Sequence, residues 1–341
     1  MFTSCQEGLL TELRCRILRG RPGEILPPAA KLAKEFGVNI KTVNKALNRL
    51  ATAGLVERRR RIGTVIRSIP GGTPDGIRMI EIIFSGFTAP FLHPFWSEVL
   101  EGAHEVFNTF GCRIILNHIK ADPETHQFNF NAMSLSDAIG RVIVGPGEKW
   151  LLDRIAASGR PMVCAGDEIH DPNMPQVYFD FSRGINDAVN YLARQRKCQK
   201  IGFIGHIEAW INPALLQKFN AYIFAVQRFM KLDRKLMEGC WPRPGEGEAA
   251  ILRLLERTTP DALIVGTDLM VPEIDAILSG RGLKIPVIGC DGIRLDKPPV
   301  DYHAIVAPRR ECGKLAAELL LKAINQGETI GRHGLEAEFL L

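Results

Sequence analysis

Ten residues of this chain, Arg67-Ser68-Ile69-Pro70-Gly71-Gly72-Thr73-Pro74-Asp75-Gly76, hold two prolines, three glycines and a single large apolar side chain. A stretch with so little to bury cannot run through a packed core, so it reads as a linker and the chain must fold as separate bodies. Charge divides at the same place. Residues 1–70 contain 14 Lys+Arg against 5 Asp+Glu, and the remainder contains 29 against 33. A basic end on a mildly acidic body is the footprint of nucleic-acid binding, because lysine and arginine release the counterions condensed on phosphates; a solvated basic face is the alternative. With 341 residues, 46% of them hydrophobic, the chain can fill a sizeable core. It has no apolar run of 18 residues, and Glu7, Glu12, Arg14, Arg16 and Arg19 stand where a secretory apolar segment would lie, so a full-length cytoplasmic protein with no membrane partner is expected. The eight cysteines are scattered without a CxxC pair, which favours free buried thiols.

Within the basic end, Phe36-Gly37-Val38-Asn39 feeds a helix. Asn39 is placed to cap it, Val38 and Val43 form a hydrophobic staple, and Val43, Ala46, Leu47, Leu50 and Ala53 make a buried face. Lys41, Asn44, Lys45, Asn48 and Arg49 occupy the outside. Leu9, Leu10, Leu13, Ile17 and Leu18 predict a preceding helix, and 29–36 a short second one. Leu55 to Ile66, with Arg58-Arg59-Arg60-Arg61 and Gly63 at its tip, predicts a β-hairpin wing. Three helices and a wing make a winged helix-turn-helix.

These residues resemble the DNA-binding domain of the GntR family of bacterial transcription regulators. The carriers are Leu26-Pro27, Leu32-Ala33, Phe36-Gly37-Val38, Thr42-Val43, Ala46-Leu47, Leu50, Gly54-Leu55-Val56 and Gly63-Thr64, about forty residues in order. Departures fall at Pro28-Ala29-Ala30, where the family usually has Ser-Glu-Arg, and at Ile40, where it usually has arginine. The DNA-contacting set is then Asn39, Lys41, Thr42, Asn44, Lys45, Arg58, Arg59, Arg60, Arg61, Gly63 and Thr64. Asparagine can pair bidentately with adenine, lysine can reach guanine or phosphate, and the arginine run suits phosphate.

From residue 77 short apolar runs alternate with helical segments. Strands are predicted at 79–84, 112–116, 141–144, 161–165, 176–179, 200–204, 262–265 and 286–288. Helices are predicted at 94–109, 124–138, 148–158, 182–196, 213–230, 246–257, 271–280 and 309–325. That alternation predicts an α/β fold with parallel sheets. Its order, with His93-Pro94-Phe95-Trp96, Phe179-Asp180-Phe181, Lys200 to Gly205, Pro260 to Val265 and Val287 to Gly292, resembles the effector domain of the LacI/GalR family, which is related to periplasmic binding proteins. Joined to a GntR-type reader, it resembles the arabinose-repressor group of bacilli. The resemblance implies a winged-helix domain at 1–68, a linker at 69–76 and a two-lobed domain at 77–341, with one lobe at 77–180 plus 304–327 and the other at 181–303.

Ligands of open parallel sheets sit at the carboxyl ends of the strands. Carried over position by position, the resemblance selects Phe87, Phe95, Trp96, Asp167, Asp180, Trp210, Lys218, Asp268 and Asp291, aromatic faces and carboxylates that suit a polyol. Phe95 and Trp96 have a core alternative, Asp268 an N-cap alternative and Asp291 a turn alternative. Lys218 stands where the family keeps an arginine, and it can equally be a solvated helix residue. No phosphate-loop, GxGxxG or GxSxG motif occurs, and His93, His104, His118 and His126 lack metal-ligand spacing. The expectation is therefore a homodimeric, non-enzymatic repressor of carbohydrate uptake or catabolism genes, without cofactor or metal. Its partners are a double-stranded operator and a sugar-like effector. A large domain that only dimerises and a sugar-acting enzyme are the alternatives.

Overall fold

The computed structural model describes residues 9–10, 12–13, 16–17, 23–52, 54–67, 78–86, 93–120, 135–145, 149–207 and 216–341. The expected linker, most of the helix expected at 124–138, Phe87 and Trp210 lie outside them; residues 135–138 are not helical. In the basic end, Leu13, Ile17, Leu32, Val43, Leu47, Leu50 and Leu55 close one small core. Helix α1 spans Ala29–Glu35 and α2 spans Ile40–Thr52. Gly37 makes the turn between them at φ +63°, a conformation glycine adopts without strain. The Asn39 carboxamide oxygen accepts the Lys41 N–H at 2.8 Å, the cap its position predicts. Strands β1 (Val56–Arg59) and β2 (Gly63–Ile66) pair antiparallel, Arg59 opposite Gly63, which puts Arg60, Arg61 and Ile62 at the wing tip.

The larger body has two six-stranded sheets. The first runs β13 (Arg332–Glu336), β7 (Gln176–Asp180), β6 (Met162–Gly166), β5 (Gly140–Val144), β3 (Arg78–Gly86), β4 (Cys112–Lys120), all pairs parallel. The second runs β14 (Glu338–Leu340), β12 (Tyr302–Val306), β11 (Val287–Gly289), β10 (Ala262–Val265), β8 (Ile201–Gly205), β9 (Met237–Gly239), parallel except for β14. Central strands such as β5 and β10 are buried throughout, as their unbroken apolar runs require when helices cover both faces. Helices α3 (Pro94–Thr109), α4 (Lys149–Ala156), α5 (Ser182–Asn190), α6 (Gln217–Gln227), α7 (Glu246–Arg257), α8 (Val271–Gly280) and α9 (Arg309–Gln326) supply that cover. Gly102 and Gly313 let α3 and α9 touch backbone to backbone: a Cβ on either would lie 2.0 Å from the Arg310 carbonyl oxygen or 1.9 Å from that of Val99.

The chain passes between the sheets after Asp180, after Val306 and at Ala337. Because β12 lies whole in the second sheet, the second passage comes a few residues later than the expected 303/304 division. Strands β9, β12, β13 and β14 were not expected from the sequence, and the helix expected to 196 continues past Asn190 as a π-helical segment at Tyr191–Gln195. No described helix is long and apolar enough to cross a membrane.

Candidate functional site

Two sites emerge. The first is the outer side of α2 with the wing. Asn39, Lys41 and Lys45 are exposed, Thr42 and Asn44 half-buried. Arg58 reaches from the wing onto the helix: its Nη2 donates to Asn44 Oδ1 and its Nη1 to Asn48 Oδ1, both at 2.7 Å. A planar guanidinium can hold two such acceptors at once, so wing and helix form one unit. Arg59 pairs with Glu57 at 3.1 Å, and Arg60, Arg61 and Gly63 are exposed at the tip. Thr64, 8% exposed, lies at the edge of a groove shared with Arg58, Arg59, Arg60 and Gly63. This face also borders the larger body. Lys41, Asn44, Lys45, Asn48 and Arg49 share a 580 Å³ groove with Phe110, Glu318, Leu321 and Lys322, and Gln326 Nε2 donates to the Thr52 carbonyl at 3.0 Å.

The second site is a 270 Å³ cleft between the sheets, built from residues that follow the carboxyl ends of parallel strands. Ser85 and Gly86 end β3, Asp167 and Glu168 follow β6, His206 follows β8, Trp241 and Pro242 follow β9, Thr267 and Leu269 follow β10, and Asp291 follows β11. His93, Phe95 and Trp96 come from the start of α3, and Gln217 and Lys218 from the start of α6. His93 Nδ1 accepts the Phe95 N–H at 3.3 Å and caps α3, which aims the aromatic pair into the cleft; the Phe95 and Trp96 rings meet edge to face at 4.8 Å. Gly166 makes room for them, since a Cβ there would lie 2.6 Å from the Trp96 ring. Phe95 is both core and lining, being 6% exposed.

Charges in the cleft are largely spoken for. Lys218 Nζ donates to the Gly266 carbonyl at 2.8 Å, the Cys290 carbonyl at 2.7 Å and Asp291 Oδ1 at 2.6 Å. Burial alone lowers a lysine pKa, yet Asp291 and its neighbours hold this one above its ordinary value. Its three hydrogens are used within the protein, so it is neither a solvated helix residue nor a donor aimed at a ligand. Asp291 Oδ2 accepts the Asp268 N–H at 3.3 Å. Asp268 is fully buried below the lining, where its Oδ2 accepts the Ile293 N–H at 2.6 Å. Burial, then the nearby Asp291 charge, push its pKa up to about 7. Asp180 lies off the cleft, its Oδ1 accepting the Ser182 N–H at 2.9 Å to open α5. Glu168 pairs with Arg332 at 2.6 Å and accepts from Gln217 at 3.3 Å. Asp167 is half-buried on the cleft wall; desolvation, and Asp291 to a smaller degree, push its pKa up to about 6 against the pull of Lys218.

Of the nine cleft residues expected, the structure thus brings Phe95, Trp96, Asp167, Lys218 and Asp291 together. It puts Asp268 beneath them and Asp180 aside, and Phe87 and Trp210 fall outside the described residues. Glu168, His206, Gln217 and Trp241 are lining residues that the sequence did not single out, and His93 and Phe181, noted there within motifs but not as site residues, also line the cleft. Only the strand-end rule pointed toward Glu168, which directly follows Asp167.

Comparison with known proteins agrees with this architecture. Residues 89–335 match the family of periplasmic binding proteins and sugar binding domain of LacI family, and residues 6–66 match the bacterial regulatory proteins of the gntR family. The chain belongs to the first of these families and carries a gntR-type helix-turn-helix domain ahead of it. Catabolite control protein A of Priestia megaterium is 24% identical over 311 residues, covering 88% of this chain and 92% of that protein. The HTH-type transcriptional repressor CytR of Escherichia coli (strain K12) is 26% identical over 251 residues, covering 70% and 71%. Among solved structures, a transcriptional regulator CelR–cellobiose complex superposes with a TM-score of 0.67 at 17% identity, covering 93% of this chain and 99% of that one. CcpA of Lactococcus lactis gives 0.64 at 16% identity, covering 77% and 97%. Both show the shared fold.

Proposed function

We propose that this chain is a ligand-responsive transcription repressor that binds a double-stranded operator as a homodimer and releases it when a small sugar-like effector fills the cleft. The observation that carries this reading is the presence in one chain of a basic winged helix and a ligand-sized cleft at the strand ends of two parallel sheets. The domain limits read from the sequence, 1–68 for the reader, 69–76 for the linker and 77–341 for the ligand domain, belong to this proposal. So does control of carbohydrate uptake or catabolism genes, which the cellobiose complex of a similar fold supports. The pairing of reader and body also resembles that of the arabinose repressor of bacilli.

In the reader, α2 enters the major groove with Asn39, Lys41, Thr42, Asn44 and Lys45, while Arg58 holds the wing against the helix and Arg59 to Arg61 with Gly63 bring the wing to phosphates. Lys41, Asn44, Lys45, Asn48 and Arg49 face Phe110, Glu318, Leu321 and Lys322 across a groove, and Gln326 donates to the Thr52 carbonyl, so operator binding on this face calls for the reader to move off the body. Two readers spaced by a dimer then meet a palindromic site. Effector binding shifts this equilibrium only through different affinities for the two arrangements.

The test is a mobility-shift assay with the full chain and DNA from around its own gene, at low salt, with and without candidate sugars. Retardation that a sugar relieves is the expected result. A protein that ignores every such fragment overturns the repressor reading.

A further inference from the structure

We propose that the natural ligand of the cleft is cationic, a sugar- or polyol-sized molecule bearing a protonated amine that pairs with the Asp167 carboxylate beside the Trp96 ring. The inference rests on the cleft being the effector site and names the class of effector.

It follows from an inventory of charge. Among the described lining residues, Lys218 is the one lysine or arginine, and its three donors are spent on Asp291 and two carbonyls. Asp291 is matched by Lys218, and Glu168 by Arg332. Burial lowers the His93 pKa, so its ring adds no charge at neutral pH. No described residue donates a hydrogen bond to Asp167 or pairs with it. One carboxylate is therefore left half-desolvated with no ion-pair partner of its own among the described residues, and its burial, with the Asp291 charge, holds its pKa up against the pull of Lys218.

A ligand ammonium supplies a positive charge and three donors; a hydroxyl supplies one donor and no charge. The walls favour the same choice, because the faces of Trp96, Phe181 and Trp241 attract cations and repel anions. Lys218 Nζ already sits 4.3 Å from the centre of the Phe181 ring, which shows the wall accommodating an ammonium. A phosphorylated or carboxylated sugar would meet Asp167 with no described cation free to receive it.

The experiment is calorimetric titration of the full chain at pH 7.5 with D-glucosamine, D-galactosamine, D-glucose, D-galactose and D-glucose 6-phosphate, repeated on Asp167→Asn and Trp96→Ala. Each amine is expected to bind about tenfold or more tightly than its neutral parent. Asp167→Asn should erase that preference while melting at or above the wild-type temperature, which shows that the variant is folded. A neutral sugar or the phosphate binding as well as the amines, or a preference that survives Asp167→Asn, overturns the inference. If a neutral sugar binds and Trp96→Ala abolishes it, the effector cleft stands and only the charge assignment falls. If neither amines nor neutral sugars bind up to 10-mM levels, roughly the weak limit of specific recognition, the inference falls, and the operator-release assay then decides whether the cleft reading falls with it.

Discussion

Lys218 Nζ lies 2.6 Å from Asp291 Oδ1 and spends its other two hydrogens on the Gly266 and Cys290 carbonyls, so one ammonium ties α6 to the ends of β10 and β11. Where relatives of this fold are expected to hold a guanidinium against ligand, this chain holds a strut. Lys218→Met should therefore unfold more easily, by about 3 kcal/mol, because Asp291 would be left 7% exposed with no cation. Lys218→Arg should recover little, since the larger fork does not fit a site shaped for three donors from a point. Chemical denaturation checks both; a Met variant as stable as wild type would show the strut to be unimportant.

Arg58 and the exposed tip arginines should behave differently on DNA. Arg58 is held by Asn44 and Asn48, so Arg58→Ala should weaken operator binding through loss of wing placement, with little change in the salt dependence. Arg60→Ala and Arg61→Ala should each lower the slope of log K against log salt by about 1, as expected for one phosphate contact. Binding measured between 50 and 200 mM salt, roughly the range over which such slopes show, separates the two roles.

Much of this division was legible beforehand, and the reasons are physical. Buried parallel strands such as β5, β6 and β10 are unbroken apolar runs, which a sequence displays directly. By contrast, β9 has three residues, β13 is Arg-His-Gly-Leu-Glu and β14 ends in exposed Leu340, so none carries an inward-facing pattern. The cap at Asn39 was readable because its partner is two residues away. The Arg58 clamp spans 10 and 14 residues and the Lys218 strut 48 to 73, distances at which spacing carries no geometric information. Asp268 followed the strand-end rule yet lies under the cleft rather than in it, because the rule locates a loop and not the direction of its side chain.

Arg309 ties the two lobes. Its guanidinium donates to Glu98 Oε1 of α3 at 2.8 Å and to the Asp291 and Gly292 carbonyls of the second lobe, the last at 3.1 Å. Arg309→Ala should loosen the lobes relative to each other, lowering effector affinity several-fold and reducing the release of operator at saturating effector. Arg309→Lys should restore only part of this, lacking the fork that reaches both lobes. Operator release titrated against effector provides the measurement; wild-type coupling in the Ala variant would remove Arg309 from the mechanism.

The buried carboxyl of Asp268 makes stability depend on pH in a direction opposite to most aspartates. Its folded pKa is raised to about 7, whereas an unfolded aspartate titrates near ~3.9. Between those values the folded state binds more protons than the unfolded one, so this group's contribution falls as pH rises from about 4 to about 7 and stays low above that. Asp291 drives the effect along with burial, while Lys218, the Ile293 N–H and Tyr302 oppose it. Asp268→Asn keeps an oxygen for the Ile293 N–H, abolishes the titration and turns an NH2 toward the Tyr302 hydroxyl. The variant should melt at or above wild type at pH 8 and lose that advantage by pH 5. Thermal melts at pH 5, 6.5 and 8, values chosen to bracket roughly the aspartate and histidine range, test this; a variant less stable at every pH would show that Asp268 stays ionised and paired.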